Sequence, residues 1–427
     1  MMTSRKSATS AFAAVTALFF GWGFVTSLVD PLVAAVKNIF SLTNVEAQLS
    51  AFAFFIAYGV VSLPAALLAR RLRSTTSIIL ALGLMVAGCL SILFASNIAV
   101  YPVVLIGLFI LASGVTILQV AANPLAAVLG PPERSHFRLT FSQAFNSLGT
   151  VLGPLLGASL LLDGIETAPG EVLDDAARAN ALAAIDTAFV GIALLIALIG
   201  LFIWLMRHRI LAAAPPTGSS QSAADMIREA FASRWTLLGG GAIFLYVGAE
   251  VSIGTQMALF LHDASVWDVP LQRAGYFVSL YWLGAMVGRF IGSGLMISTP
   301  ASRLLTIATA AAAVLCVTVF LLGGEIGGYA ALSIGLFNSI MFPTIFTLTL
   351  ERSTASKEVT SGFLCTAIVG GAFLPLLAGA ISDAMSYERS FIIPALCYAC
   401  LSGFAVLAAR TRPNSHGSDG SRVTLSH

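Results

Sequence analysis

Residues 11–36 read AFAAVTALFFGWGFVTSLVDPLVAAV, twenty-six positions with one charge, the carboxylate of Asp30. About twenty apolar residues cross a bilayer as a helix, so this stretch is long enough to span one. An ionised side chain at mid-membrane depth costs roughly 2.5–3.5 kcal/mol on insertion scales. A chain keeps such a group when it binds a cation, carries a proton or holds a polar solute. The run follows Arg5 and Lys6 and so imitates a secretory signal, but it continues past Val29 without a small-residue cleavage site. It is therefore expected to be a first membrane span.

The same texture continues through all 427 residues, which are 58% hydrophobic and only 10% charged. Mean hydropathy is +0.92. A soluble domain carries about a quarter charged residues, which excludes that class here. Breaks at charges, prolines and glycines leave twelve apolar runs, at about 11–36, 47–69, 76–96, 100–129, 139–162, 181–206, 235–261, 271–297, 303–322, 327–350, 359–382 and 390–410. The fold class expected is an all-α membrane protein with twelve transmembrane helices in two six-helix pseudo-repeats. Residues 1–206 form the first bundle and 235–412 the second. Between them, 207–234 holds Pro215-Pro216, Gly218-Ser219-Ser220 and a charged turn through Asp225, Arg228 and Glu229, the composition of a cytoplasmic linker. Residues 413–427 are expected to be a disordered cytoplasmic tail.

Lysine and arginine set the orientation. With the N-terminus inside, seventeen fall on the cytoplasmic side and four (Lys37, Arg178, Arg273, Arg389) outside, leaving Arg289 within the eighth run. Both termini are thus expected in the cytoplasm of a multi-pass protein of the cell (inner) membrane. The net charge of +2 points to no nucleic-acid partner. No Walker-type phosphate loop is present, so ATP is not expected to drive the protein. The five histidines lie in loops or the tail, and the five cysteines lie in apolar runs. Neither metal nor cofactor is expected, and Cys397 and Cys400 read as small packing residues.

The halves echo one another. Gln119 precedes Pro124 by five residues and Asn338 precedes Pro343 by five, an offset of 219; the same offset carries Asp30 to within one residue of Glu250. Paired repeats with polar groups at matching depth are how alternating-access transporters build a site near the bilayer midplane.

The residues also resemble a known family, the fucose–proton symporters of the major facilitator superfamily. The likeness lies in Phe19-Phe-Gly-Trp22-Gly23 leading to Asp30, in Gln119-Val-Ala-Ala-Asn123-Pro124, in Leu129-Gly130-Pro131 and in His136-Phe-Arg138-Leu-Thr-Phe-Ser-Gln143-Ala-Phe-Asn146-Ser-Leu-Gly149. It continues through Tyr246-Val-Gly-Ala-Glu250, Gly288-Arg289-Phe290, Phe342-Pro343-Thr344-Ile345-Phe346 and Ile381-Ser382-Asp383, covering roughly 11–410. Gln119 and Glu250 stand where the fucose branch has glutamate and glutamine, and both departures resemble the glucose/galactose branch. A proton relay between acids of the first and fourth spans, implied for the fucose branch, cannot run through Gln119. Val29 stands where relatives often have asparagine.

Asp30 and Glu250 are the candidate cation-coupling residues, for a proton or sodium. The plainer alternatives are a structural acid near Lys37 for Asp30 and a packing ion pair with Arg289 for Glu250. Sugar hydroxyls both donate and accept, as amides do, which makes Gln119, Gln143, Asn146, Gln256, Asn338 and Glu250 candidate sugar ligands. Gln143, Asn146 and Thr150 fall at i, i+3 and i+7, one helical face. The plainer alternative for any one amide, Asn123 above all, is an interhelical hydrogen bond that glues helices together. Trp22 is the candidate stacking surface, while Tyr58, Tyr246, Tyr281 and Trp282 read first as interface anchors. Arg70, Arg71 and Arg73 follow a degenerate gate motif, Leu63-Pro64-Ala65-Ala66-Leu67-Leu68, and Arg289 is its candidate counterpart. The expectation is a monomeric, cation-coupled hexose importer and not an enzyme. Its rivals are an importer of fucose or N-acetylglucosamine, a drug–proton antiporter, and a membrane aspartyl enzyme pairing Asp30 with Glu250.

Overall fold

The computed structural model describes residues 2–129, 135–163, 165, 173–213, 223–296 and 298–411. Twelve helical segments among them are long and apolar enough to cross a membrane: Ala11–Ile39, Asn44–Ala69, Ser74–Asn97, Tyr101–Asn123, Phe141–Leu161, Asp175–Ala212, Arg234–His262, Leu271–Gly292, Ala301–Leu322, Gly324–Arg352, Val359–Ala384 and Tyr387–Arg410. They are called spans 1–12. Spans 1–6 pack among themselves, as do spans 7–12, and the halves meet where span 2 lies along span 11, span 5 along span 8, and the end of span 1 along span 7.

Glycines let these helices approach closely, the usual device where lipid supplies no hydrophobic drive between helices. Gly149 and Gly153 of span 5 lie against the backbone of Phe20 and Phe24 and the side chain of Ser27, while Gly88 of span 3 lies against Leu111. Between spans 9 and 10, Gly323 and Gly324 adopt φ of 54° and 56°, a left-handed turn that favours glycine.

Spans 1, 10, 11 and 12 are each built of more than one helix, and in the first two polar groups enter at the break. Span 1 is two helices, Met2–Ser27 and Val29–Ile39, and span 10 is Gly324–Asn338 followed by Met341–Arg352. In each case proline is the third residue of the second helix, Pro31 or Pro343. Proline withholds an N–H but is tolerated in a first turn. The break places Asp30 in the first turn of Val29–Ile39, where the helix dipole favours an acid.

The linker departs from its expected form. The span 6 helix runs on to Ala213, and Ala223–Ala232 is a helix where a charged turn was expected. Met226 and Ala230, one turn apart, are buried against Val359 with Ala355 and Phe363, and the Glu229 carboxylate accepts from the Ser356 N–H at 2.5 Å. Burial of that apolar stripe explains the helix. Span 6 also begins earlier than expected, at Asp175, because Asp174 Oδ1 accepts from the Ala177 N–H at 2.6 Å. Residues 214–222 and the tail from 412 lie outside the described residues.

Candidate functional site

Span 7 carries the clearest mark of a site. Every residue from Tyr246 to Leu261 is buried except Glu250, which keeps part of its surface open. A lone accessible carboxylate in an otherwise buried stretch of helix faces a space that solvent reaches. Its Oε1 accepts from the Tyr246 hydroxyl at 2.6 Å. That hydroxyl also lies 3.1 Å from the Asn338 carbonyl oxygen, at the break in span 10. The next freed carbonyl, Ser339 O, accepts from Arg289 Nε at 3.4 Å. Irregular backbone at membrane depth is found where protein or a cavity satisfies it, and this break has both an aromatic hydroxyl and a guanidinium beside it.

Asp30 lies one helical turn further along span 7. It is 5% exposed, and Trp282 Nε1 donates to its Oδ2 at 2.7 Å. Both carboxylate oxygens rest on Gly254, where an added Cβ would stand 3.1 and 3.2 Å from them. A carboxylate of the first half is thus held by an indole of the second. The charge of Glu250 is felt at Asp30, yet each has its own aromatic donor and they share no hydrogen bond. The shared-proton dyad required by an aspartyl enzyme is not formed.

The remaining candidates separate into two groups. Gln119 is half-buried and its Nε2 donates to Tyr58 Oη at 2.8 Å. Asn338, fully buried, makes the corresponding contact, Nδ2 to Tyr281 Oη at 2.7 Å. The pairing of an amide on span 4 or 10 with a tyrosine on span 2 or 8 extends the internal repeat to residues that spacing alone did not link. Gln143 is half-buried on span 5. Arg289 bridges the halves through Nη1 to Ser147 Oγ at 2.5 Å and also acts on the charge of Glu250.

Other candidates sit in packing. Gln256, 2% exposed, has Oε1 accepting from Ser382 Oγ at 2.6 Å and Ser390 Oγ at 3.2 Å, so it ties span 7 to spans 11 and 12. Asn146 donates to the Phe19 carbonyl at 3.2 Å, joining spans 5 and 1. Trp22 is buried with its ring 4.1 Å from that of Phe19. The side chains of Arg70 and Arg71 lie outside the described residues. Trp282, read from sequence as an interface anchor, is instead the partner of Asp30. Arg352, near the end of span 10, is 6% exposed and donates Nη2 to the Ala408 carbonyl at 2.9 Å.

The end of the bundle away from the termini is drawn shut by polar contacts between halves. Thr255 Oγ1 donates to Gln48 Oε1 at 3.0 Å. Lys37 Nζ donates to Tyr387 Oη at 2.6 Å, and Tyr387 donates to Asn44 Oδ1 at 2.8 Å. Taken together, Asp30, Glu250, Arg289 and Asn338 lie with Tyr246, Tyr281 and Trp282 where the halves meet.

Known proteins share this plan. The profile described as Major Facilitator Superfamily matches residues 11–367. A glucose/galactose transporter of Brucella abortus biovar 1 (strain 9-941) is 39% identical over 411 residues, covering 96% of each chain. The L-fucose-proton symporter of Escherichia coli (strain K12) is 31% identical over 419 residues, covering 94% of each. Among solved structures, FucP, a superfamily transporter crystallised in the outward conformation, superposes with a TM-score of 0.71 at 28% identity, over 95% of this chain and 100% of that one.

Proposed function

The chain belongs to the Major Facilitator Superfamily, alongside its glucose/galactose transporters and fucose–proton symporters, and on that premise we propose that it takes up a hexose, glucose or galactose, by alternating access coupled to a proton or sodium ion. The observation that carries this reading is the single opening between Tyr246 and Leu261 of span 7: Glu250 meets solvent one turn from Asp30, which is closed off and held across the interface by Trp282. Glu250 offers a strong acceptor to sugar hydroxyls, with Arg289, Gln119 and Gln143 as the polar surroundings. Asp30 carries the coupling ion. A bare charge there opposes closure of the halves around a dehydrated solute, and loading it with a cation removes that opposition.

The positive-inside bias supports placing both termini in the cytoplasm of the inner membrane, which makes the shut face the outer one. The protein acts as a transporter rather than an enzyme, and as a monomer. Uptake of labelled glucose, galactose, fucose and N-acetylglucosamine into proteoliposomes, under an imposed pH gradient and then a sodium gradient, tests the reading. Accumulation of glucose or galactose above equilibrium is expected with one of the two gradients. Accumulation of fucose or N-acetylglucosamine alone overturns the substrate, and a response to neither gradient overturns the coupling.

A further inference from the structure

We propose that Asp383 is a clasp that holds the face away from the termini shut, by completing the cap of a helix in the opposite half. A helix begins with four N–H groups that have no partner within it. At the start of span 2, two of these are satisfied locally by a capping box. Thr43 N–H donates to Glu46 Oε2 at 2.9 Å, and Glu46 N–H donates to Thr43 Oγ1 at 3.2 Å. The other two point across the interface. Asn44 N–H donates to Asp383 Oδ1 at 2.7 Å and Val45 N–H to Asp383 Oδ2 at 2.8 Å. All four are thereby accounted for, half of them by a carboxylate more than 300 residues away in the chain.

The fit is two-point and charge-assisted, and it sets a negative group at the positive end of a helix dipole. Gly379, one turn before Asp383, allows the approach: a Cβ there would stand 3.1 Å from Asn44 O and from Val45 Cα. The chain from Lys37 through Tyr387 to Asn44 adds a second tie at the same point, and Lys37 lies in the field of Asp383 and Asp263. Asp383 itself is exposed, so water competes for both amides when the halves separate. That competition keeps the clasp weak enough to open in every cycle. The clasp gains its place in transport from the alternating-access reading, but its test reads distance without sugar, so failure of either is seen separately.

Labels at Ala176→Cys and Ala264→Cys, exposed positions at the far ends of spans 6 and 7, report separation of the halves by pulsed electron spin resonance. The full chain is used in lipid nanodiscs, in a background without other reactive cysteines. Asp383→Ala is expected to raise the ratio of open to closed distances roughly threefold to tenfold, the size of a lost charge-assisted cap at an exposed site. Asp383→Asn, which keeps the shape and loses the charge, is expected to give a smaller rise of about two- to threefold and serves where the alanine variant does not fold. A second pair removes the donor instead. Asn44→Pro deletes one amide at the first helical position, where proline is tolerated and where Thr43 is already extended with ψ of 166°; Asn44→Ala deletes only the side chain. More opening in the proline variant than in the alanine variant is expected. Distance distributions unchanged in both Asp383 variants, or equal in the two Asn44 variants, overturn the clasp.

Discussion

Asp30 and Glu250 stand at matching places in the two halves but are held in opposite ways. Asp30 is buried and takes its hydrogen bond from Trp282, across the interface. Glu250 keeps an open surface and takes its hydrogen bond from Tyr246, four residues away on its own helix. A group tied across the interface feels whether the halves are together. A group tied to its own helix and facing solvent feels what occupies the space between them. Under the proposed function the two acids divide into a closure sensor, Asp30, and a solute contact, Glu250, and substitutions at the two should fail differently.

The largest difference is expected at Asp30. Asp30→Asn should reduce accumulation of sugar against a gradient to the level of empty vesicles while exchange of sugar across the membrane persists. Concentrative uptake at the normal level would remove Asp30 from coupling altogether. Glu250→Gln should do the converse: equilibrium binding of sugar weakens roughly ten- to hundredfold, the range for a lost hydrogen bond to a charged acceptor, while whatever uptake remains still follows the ion gradient. Undiminished affinity measured by calorimetry would show that Glu250 does not touch the sugar. Trp282→Phe keeps the aromatic volume and removes the donor to Asp30. The division of roles predicts a several-fold loss of concentrative uptake with sugar affinity unchanged, and an equal loss of both would place Trp282 in the sugar site instead.

The spans were legible because each leaves a local mark, an apolar run, and Asp30 and Glu250 drew notice as charges where charge is costly. The partners were not legible, because hydrogen-bonding geometry between halves has no signature along the chain. Trp282 lies 252 residues from Asp30 and looks like any aromatic within an apolar run. Asp383 was visible within Ile381-Ser382-Asp383, but an acid at the end of a span reads as a solvated loop charge until the opposing helix terminus is placed beside it. The linker helix was missed because two prolines and a glycine-serine stretch dominate its composition, while the stripe of Met226 and Ala230 is only one turn long. Gln256 and Asn146 show the converse limit of reading along the chain. Amides inside spans were read by chemistry alone, and their positions in helix packing are set by neighbours such as Ser382, Ser390 and Phe19 O.

The two amide–tyrosine pairs sharpen the comparison most finely, because they reverse it. In the half where the acid is closed off, the amide Gln119 is half-open; in the half where the acid is open, the amide Asn338 is fully buried and its Oδ1 has no hydrogen-bond partner among the described residues. Removing a hydroxyl that serves a buried amide strands a donor at about 1–3 kcal/mol, whereas water substitutes at an accessible one. Tyr281→Phe should therefore lower the thermal unfolding midpoint by a few degrees, and Tyr58→Phe by little or nothing, when both are measured in the same detergent by intrinsic fluorescence. Equal shifts would mean that the two pairs sit in equally dry surroundings. The solvent path would then reach no further into one half than the other, and the division between the two acids would have to be sought in their charges rather than in their access to water.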